Sequence, residues 1–155
     1  MRVFITVGTH NQGFEYLLDK TAVLTSRHQL VIQSGHSSTL VKGAFQQQSW
    51  YSPDEMSHNI SEADRVISHL GCGIAREVQV LNTPTLFFCR SRQRGEHFDN
   101  HQLELKEALT SRQGLWFYED GDDIENILNN MGSEIPQSPT NTDQLIKAIK
   151  DWLTS

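Results

Sequence analysis

The residues best suited to chemistry lie in two polar clusters on either side of a short apolar run, Thr85 to Cys89. The first is His69 with the turn Gly71-Cys72-Gly73, followed one helical turn later by Glu77. The second is Glu96-His97-Phe98-Asp99-Asn100-His101-Gln102, preceded by Arg90, Arg92 and Arg94. A glycine turn that opens a helix leaves backbone N–H groups able to face an anion. Glu77 is placed to span two adjacent hydroxyls, such as those of a ribose, and the position equally suits a plain helix-surface glutamate. His69 can donate to a phosphate or simply hydrogen-bond at a strand end. Arginines gathered on one loop favour a phosphate-bearing ligand over a merely solvated loop. The spacing of His97, Asp99 and His101 brings a metal site into consideration. No further ligand cluster accompanies them, and Asp99 or Asn100 serves naturally as a helix N-cap. A cap there aims His101 and Gln102 into the same cleft as Gly71. We therefore expect neither a metal nor a cofactor.

Gly8-Thr9-His10 follows the first strand and should line the same edge, with His10 the clearest candidate for a general base in this chain. Trp50-Tyr51-Ser52-Pro53 either flanks a nucleobase or closes the core. Gly71-Cys72-Gly73 is not a GxGxxG fingerprint, and there is no Walker loop, nucleophile elbow or Ser/His/Asp set.

The elements that must position these residues alternate. Arg2–Val7, Gln29–Gln33, a weaker Ala44–Trp50, Val66–Ser68, Thr85–Cys89 and Leu115–Tyr118 read as strands, from their β-branched and aromatic runs. Phe14–Leu24, a short helix opened by Pro53-Asp54-Glu55 and ending near Ala63, Ala75–Leu81, Asn100–Ser111, Asp120–Asn130 and Asp143–Leu153 read as helices. Gly132–Asn141 reads as a loop. Strand–helix alternation with short connections predicts a parallel sheet flanked by helices, and 155 residues predict one domain over the whole chain. Ligands bind such sheets at the carboxyl edge of the strands.

Bulk properties narrow the classes. A net charge of −6 without a basic block argues against nucleic acid. No apolar run approaches the roughly 20 residues that span a bilayer, and a first strand at Arg2 leaves no room for a targeting segment. The chain's 2 cysteines, Cys72 and Cys89, form no CxxC and fit a reduced, cytoplasmic compartment.

Three motifs in order carry a resemblance that spans nearly the whole chain. They are Thr6-Val7-Gly8-Thr9, the pattern ADxVISHxGxGxxxE from Ala63 to Glu77, and GEHxDxHQxEL from Gly95 to Leu105. Together they resemble the single-domain catalytic subunits of two-part UDP-sugar glycosyltransferases. These include the bacterial exopolysaccharide PssE/EpsE type and the catalytic subunit of the eukaryotic dolichol-pathway UDP-GlcNAc transferase. All are similar to the C-terminal half of MurG-like GT-B enzymes, which implies a Rossmann-like sheet. The resemblance implies Gly71 and Gly73 at the diphosphate and Glu77 on the ribose. It also implies Asn100, His101 and Gln102 at the donor sugar and phosphates, uracil near Ser52-Pro53, and Gly8 and Thr9 facing the cleft. It implies an inverting, metal-independent transfer of a hexose-type sugar to a lipid-pyrophosphate-linked acceptor. His10 and His101 are then the candidate catalytic residues, with His69 and Arg94 beside the donor. A membrane-anchored partner subunit would carry the acceptor half and recruit this cytoplasmic chain to the cytosolic membrane face. An isolated chain would present the partner's face to a second copy. One position departs from the pattern: Ile74 stands where a Ser or Thr is common. That departure keeps a non-catalytic nucleotide-sugar-binding module as the alternative.

Overall fold

The strands form where β-branched and aromatic residues run together, and helices form where apolar residues recur at three and four. In chain order the elements are β1 (Arg2–Thr6), α1 (Glu15–Thr21), a 3-10 helix (Ala22–Ser26), β2 (Gln29–Gln33), β3 (Gln46–Gln48) and α2 (Pro53–Glu62). They continue with β4 (Arg65–His69), α3 (Cys72–Val80), β5 (Thr85–Phe88), α4 (His101–Leu109), β6 (Trp116–Phe117) and α5 (Ile124–Asn130). The computed structural model describes residues 1–96, 101–109, 116–132, 147, 149–151 and 153–154, the side chains of 101, 108 and 109 excepted. The expected loop over Gly132–Asn141 and most of the expected closing helix lie outside these residues, although 147, 149–151 and 153–154 are helical.

All six strands are parallel, in the order β3-β2-β1-β4-β5-β6. This is the parallel, helix-flanked sheet that the alternation predicts. Side chains alternate between its faces, and each face has its own core. Val3, Ile5, Leu30, Ile32, Ile67, Leu86 and Phe88 point to one side, where Leu17 and Leu18 of α1 and Ile124 and Leu128 of α5 cover them. Phe4, Val31, Val66 and Phe87 point to the other, beneath Ile60 of α2, Ile74 and Val78 of α3, and Leu105 of α4. Each such fully buried side chain contributes about 1.5–3 kcal/mol.

Several boundaries differ from the sequence reading, among them the helix expected from Asp120, which starts at Ile124 because the Asp123 side chain caps it by accepting the Asn126 N–H. The first helix stops at Thr21 and tightens into the 3-10 helix, because the Thr21 hydroxyl bonds back to the carbonyls of Leu17 and Leu18. The third strand shrinks to three glutamines at the sheet edge. The helix after the glycine turn begins at Cys72 rather than Ala75, inside the turn itself. It ends at Val80, and Asn82, just past the C-cap Leu81 with a φ of 54°, closes a Schellman motif. There Thr83 N–H donates to Val78 O (3.0 Å) and Asn82 N–H to Gln79 O (3.2 Å).

Candidate functional site

β1 and β4 are neighbours in mid-sheet, and the chain leaves them in opposite directions, towards β2 and β5. A crevice therefore opens beyond their carboxyl ends, the usual place for a ligand in this architecture. Gly8 follows β1 and Gly71 follows β4, with the His69 ring between them. A Cβ on Gly8 would lie 2.5 Å from His69 Cε1, and one on Gly71 would lie 2.6 Å from His69 Nε2. Gly8 also has a φ of +78°, where a side chain is strained. The smallness of both glycines is thus required by His69. Gly73 differs, since a Cβ there would meet no protein atom within 4 Å. Its missing side chain leaves open space at the start of α3.

His69 is half-buried at the base of the crevice and disfavours a charge. Burial, then the neighbouring Arg90 cation and His10, press its pKa down to about 4, against a smaller opposing pull from the Thr6 backbone. At neutral pH it is an uncharged donor and acceptor. Beside it, Gly8 N–H donates to Thr6 Oγ1 (3.2 Å) and the Thr6 hydroxyl donates to Gln33 Oε1. With its oxygen occupied, the Gln33 amide keeps Nε2 as its donor. Thr6 and Gln33 both line the crevice.

The crevice holds a cavity of about 450 Å³. Its floor is Thr6, Gly8, Gln33 and His69, one wall is Gly71 to Ile74 with Glu77, and the other is Tyr51, Pro53 and Met56. No side chain caps α3, so its first N–H groups and the positive end of its dipole remain available at the cavity. Glu77 lies one turn along α3, and its Oε1 accepts a hydrogen bond from Ser57 Oγ at 2.6 Å. That bond ties α3 to α2 and fixes the carboxylate. α2 is itself held by a capping box: Glu55 N–H donates to Ser52 Oγ (3.2 Å) and Ser52 N–H to Glu55 Oε2 (2.7 Å), with Pro53 in the first turn. Ser57 and Gln33 carried no signal of their own in the sequence, and Thr6 stood there only as the start of a motif. The S-x-x-E spacing of Ser52 and Glu55 was the available sign that α2 begins there. Ile74 is 8% exposed and belongs to the core beneath α3 while also edging the cavity, so the wall is apolar at that point.

The remaining candidates divide. Thr9 is exposed on the crevice rim. His10 Nδ1 accepts the Gln12 N–H at 3.1 Å. Gln102 stands in the first turn of α4, and its Oε1 accepts the Arg90 N–H at 2.9 Å, which leaves Nε2 as its donor. Asn100, His97 and Asp99 lie outside the described residues, as does the side chain of His101. Among the described residues no group of three His, Cys, Asp or Glu side chains is placed for a metal ion.

Arg90 and Arg94, two of the three loop arginines, are engaged within the protein. Arg90 is 1% exposed, and its guanidinium is occupied by backbone carbonyls: Nη2 donates to Val7 O (2.7 Å), and Nη1 to Gln12 O (2.9 Å), Gly13 O (3.0 Å) and Glu96 O (3.0 Å). Arg94 pairs with Glu96 (2.9 Å), donates to Cys89 O (2.8 Å) and stacks 4.0 Å over the Tyr16 ring of α1. Neither lines the cavity. Sequence displays the charges of such a loop but not the carbonyls that already occupy them.

The fold is the Rossmann-like parallel sheet that forms the C-terminal half of GT-B glycosyltransferases. The chain belongs to the family of the glycosyltransferase family 28 C-terminal domain, whose profile matches residues 2–153. Its fold is similar to that of the glycotransferase of kitacinnamycin, at 12% identity and a TM-score of 0.58 over 97% of this chain and 39% of that one. It is equally similar to the glycosyltransferase SnogD from Streptomyces nogalater, at 15% identity and a TM-score of 0.58 over 98% of this chain and 39% of that one. The chain thus spans about two-fifths of the length of these two enzymes. Comparison with curated proteins gives no match. Among the described residues no helix is long and apolar enough to cross a membrane.

Proposed function

We propose that this chain is the donor-binding half of an inverting glycosyltransferase that moves a hexose-type sugar from UDP to a lipid-pyrophosphate-linked acceptor, and that a separate, membrane-anchored polypeptide supplies the acceptor half. The observation that carries this reading is the shared cavity of an uncapped helix N-terminus and a fixed carboxylate one turn further on. The diphosphate fits against the N–H groups at Cys72 and Gly73, where Gly73 leaves room for it. Glu77 then reaches the ribose hydroxyls, and the base lies between Tyr51, Pro53 and Met56.

In the transfer, the acceptor hydroxyl attacks the anomeric carbon from the face opposite the diphosphate. The C1–O bond to UDP breaks, the nucleotide leaves with the electron pair, and the acceptor proton passes to a general base. The terminus of α3 is already aimed at the phosphates, so its dipole stabilises the leaving charge without reorganisation. His69, neutral under the two glycine loops, sets their spacing. Gln102 and Asn100 meet the donor sugar, with His101 beside them. Thr9 and His10 face the acceptor, and the general base is assigned to the second polypeptide. The two polypeptides would then act together in exopolysaccharide or glycan assembly.

Ile74 favours a second reading, a nucleotide-sugar-binding regulatory module, because it presents an apolar wall beside the phosphate position. Titration of the chain with UDP-GlcNAc, UDP-glucose, UDP-galactose and UDP-glucuronate, followed by a transfer assay with the co-expressed second polypeptide, separates the two. Binding with transfer is the expected result. Binding without transfer under both conditions would establish the module, and no binding of any uridine nucleotide would remove both.

A further inference from the structure

Arg90 is a buried cation that does not line the cavity, yet it joins the first loop, its own loop and the start of α4. Its four side-chain hydrogen bonds go to carbonyls on both ends of the Gly8–Gly13 loop and on its own loop. Val7 lies just before that loop and Gln12 and Gly13 close it, so one guanidinium brackets Thr9 and His10. The guanidinium also sits 4.7 Å over the Phe14 ring at the entry to α1. Through its backbone N–H the same residue holds Gln102 Oε1 at the start of α4.

The arrangement is costly for a residue that only fills space. The Glu96 carboxylate turns towards Arg94 Nε and Ser91 N–H and gives Arg90 only its main-chain carbonyl. Arg90 Nε has no hydrogen-bond partner. A buried guanidinium hydrogen-bonded to carbonyls only, with the Glu96 carboxylate attracting it through space rather than by a direct bond, adds little to stability that a well-packed apolar side chain would not. What an apolar side chain cannot do is hold four carbonyls from separate segments at one point.

We propose that Arg90 is a positioning residue that sets Gln102, on the donor-sugar side, against the acceptor-facing loop Gly8–Gly13, so that occupancy of one side orders the other. The inference rests on the donor-pocket reading above. Lysine keeps the charge but presents a point donor in place of the planar fork, so Arg90→Lys should loosen the link while leaving the distant uridine end intact.

The experiment is a calorimetric double-mutant cycle on the full chain with Arg90→Lys, Gln102→Leu and the double variant. Each protein is titrated with UDP and with whichever of the four UDP-sugars binds the unsubstituted chain most tightly. UDP affinity should stay within about twofold in all four proteins, which also reports that they fold. The extra affinity conferred by the sugar should fall roughly tenfold in each single variant, the size of one lost hydrogen bond, and no further in the double. Hydrogen exchange on the unsubstituted chain gives a check independent of any variant's folding: amides 8–13 should gain protection with the UDP-sugar and not with UDP. Full retention of the sugar increment in Arg90→Lys, additive losses in the double variant, or unchanged exchange at 8–13 would each overturn the proposal. If UDP binds and no sugar adds affinity, the link has nothing to transmit and is overturned while the donor site stands. If UDP itself does not bind, the donor reading fails first.

Discussion

At the residue scale the three crevice glycines part company. Gly71→Ala drives a Cβ to 2.6 Å from His69 Nε2 and must displace the ring, so its melting temperature should fall. Gly73→Ala meets nothing within the protein and improves helix propensity. Its melting temperature should be unchanged or slightly raised, while UDP affinity drops, because the new methyl group occupies the phosphate position. Thermal unfolding and titration of both variants check this, and equal UDP affinity in Gly73→Ala would move the diphosphate elsewhere. His69 makes a second prediction. Its pKa is about 4 in the fold and about 6.5 in an unfolded chain. Above pH 6.5 both states are neutral and His69 adds no pH dependence. As pH falls from 6.5 towards 4 the unfolded state takes up a proton that the fold refuses, so stability declines across that window. Urea midpoints at pH 7 and 4.5 should differ more for the unsubstituted chain than for His69→Asn. The spacing of Gly71, Gly73 and Glu77 was legible in the sequence because it is local to one strand–turn–helix unit. The roles of His69 and Arg90 were not, since each depends on contacts with residues some 60 to 80 positions earlier in the chain, among them Gly8 and Val7.

At the element scale α2 holds Glu77 in place through Ser57, and a capping box holds α2. Ser52→Ala removes the hydroxyl that accepts the Glu55 N–H. It should cost about 1 kcal/mol, a fall of roughly 2–4 °C in melting temperature for a chain of this size, with a smaller loss of UDP affinity. A variant that melts normally yet loses UDP binding entirely would place Ser52 in direct contact with ligand. Strands β1, β2, β4 and β5 were readable because apolar β-branched and aromatic residues dominate them. β3 was only half readable: three glutamines make a strand there because β2 pairs with them, not because of their own preference. The end of α1 at Thr21 turned on a hydroxyl bonding back to its own helix, a choice between two local geometries that periodicity does not register.

At the scale of the whole molecule, alternation of strand and helix announced a parallel sheet, but the order β3-β2-β1-β4-β5-β6 was not readable without pairing information. That order puts β1 beside β4 and so creates the crevice. The chain spans about two-fifths of the two glycosyltransferases it resembles in fold. On the two-polypeptide proposal, the isolated chain should bind its donor and transfer nothing. Transfer should appear when the second polypeptide is co-expressed, and should persist in a chelator; radiolabelled sugar incorporation into lipid measures both. All of this depends on the crevice being a uridine-nucleotide site with Glu77 on the ribose. The most direct test is calorimetric titration of UDP into the unsubstituted chain and into Glu77→Ala, with melting temperatures measured alongside. We predict one UDP per chain, weakened about tenfold or more in Glu77→Ala at an unchanged melting temperature. Equal affinity in the two proteins would contradict the account.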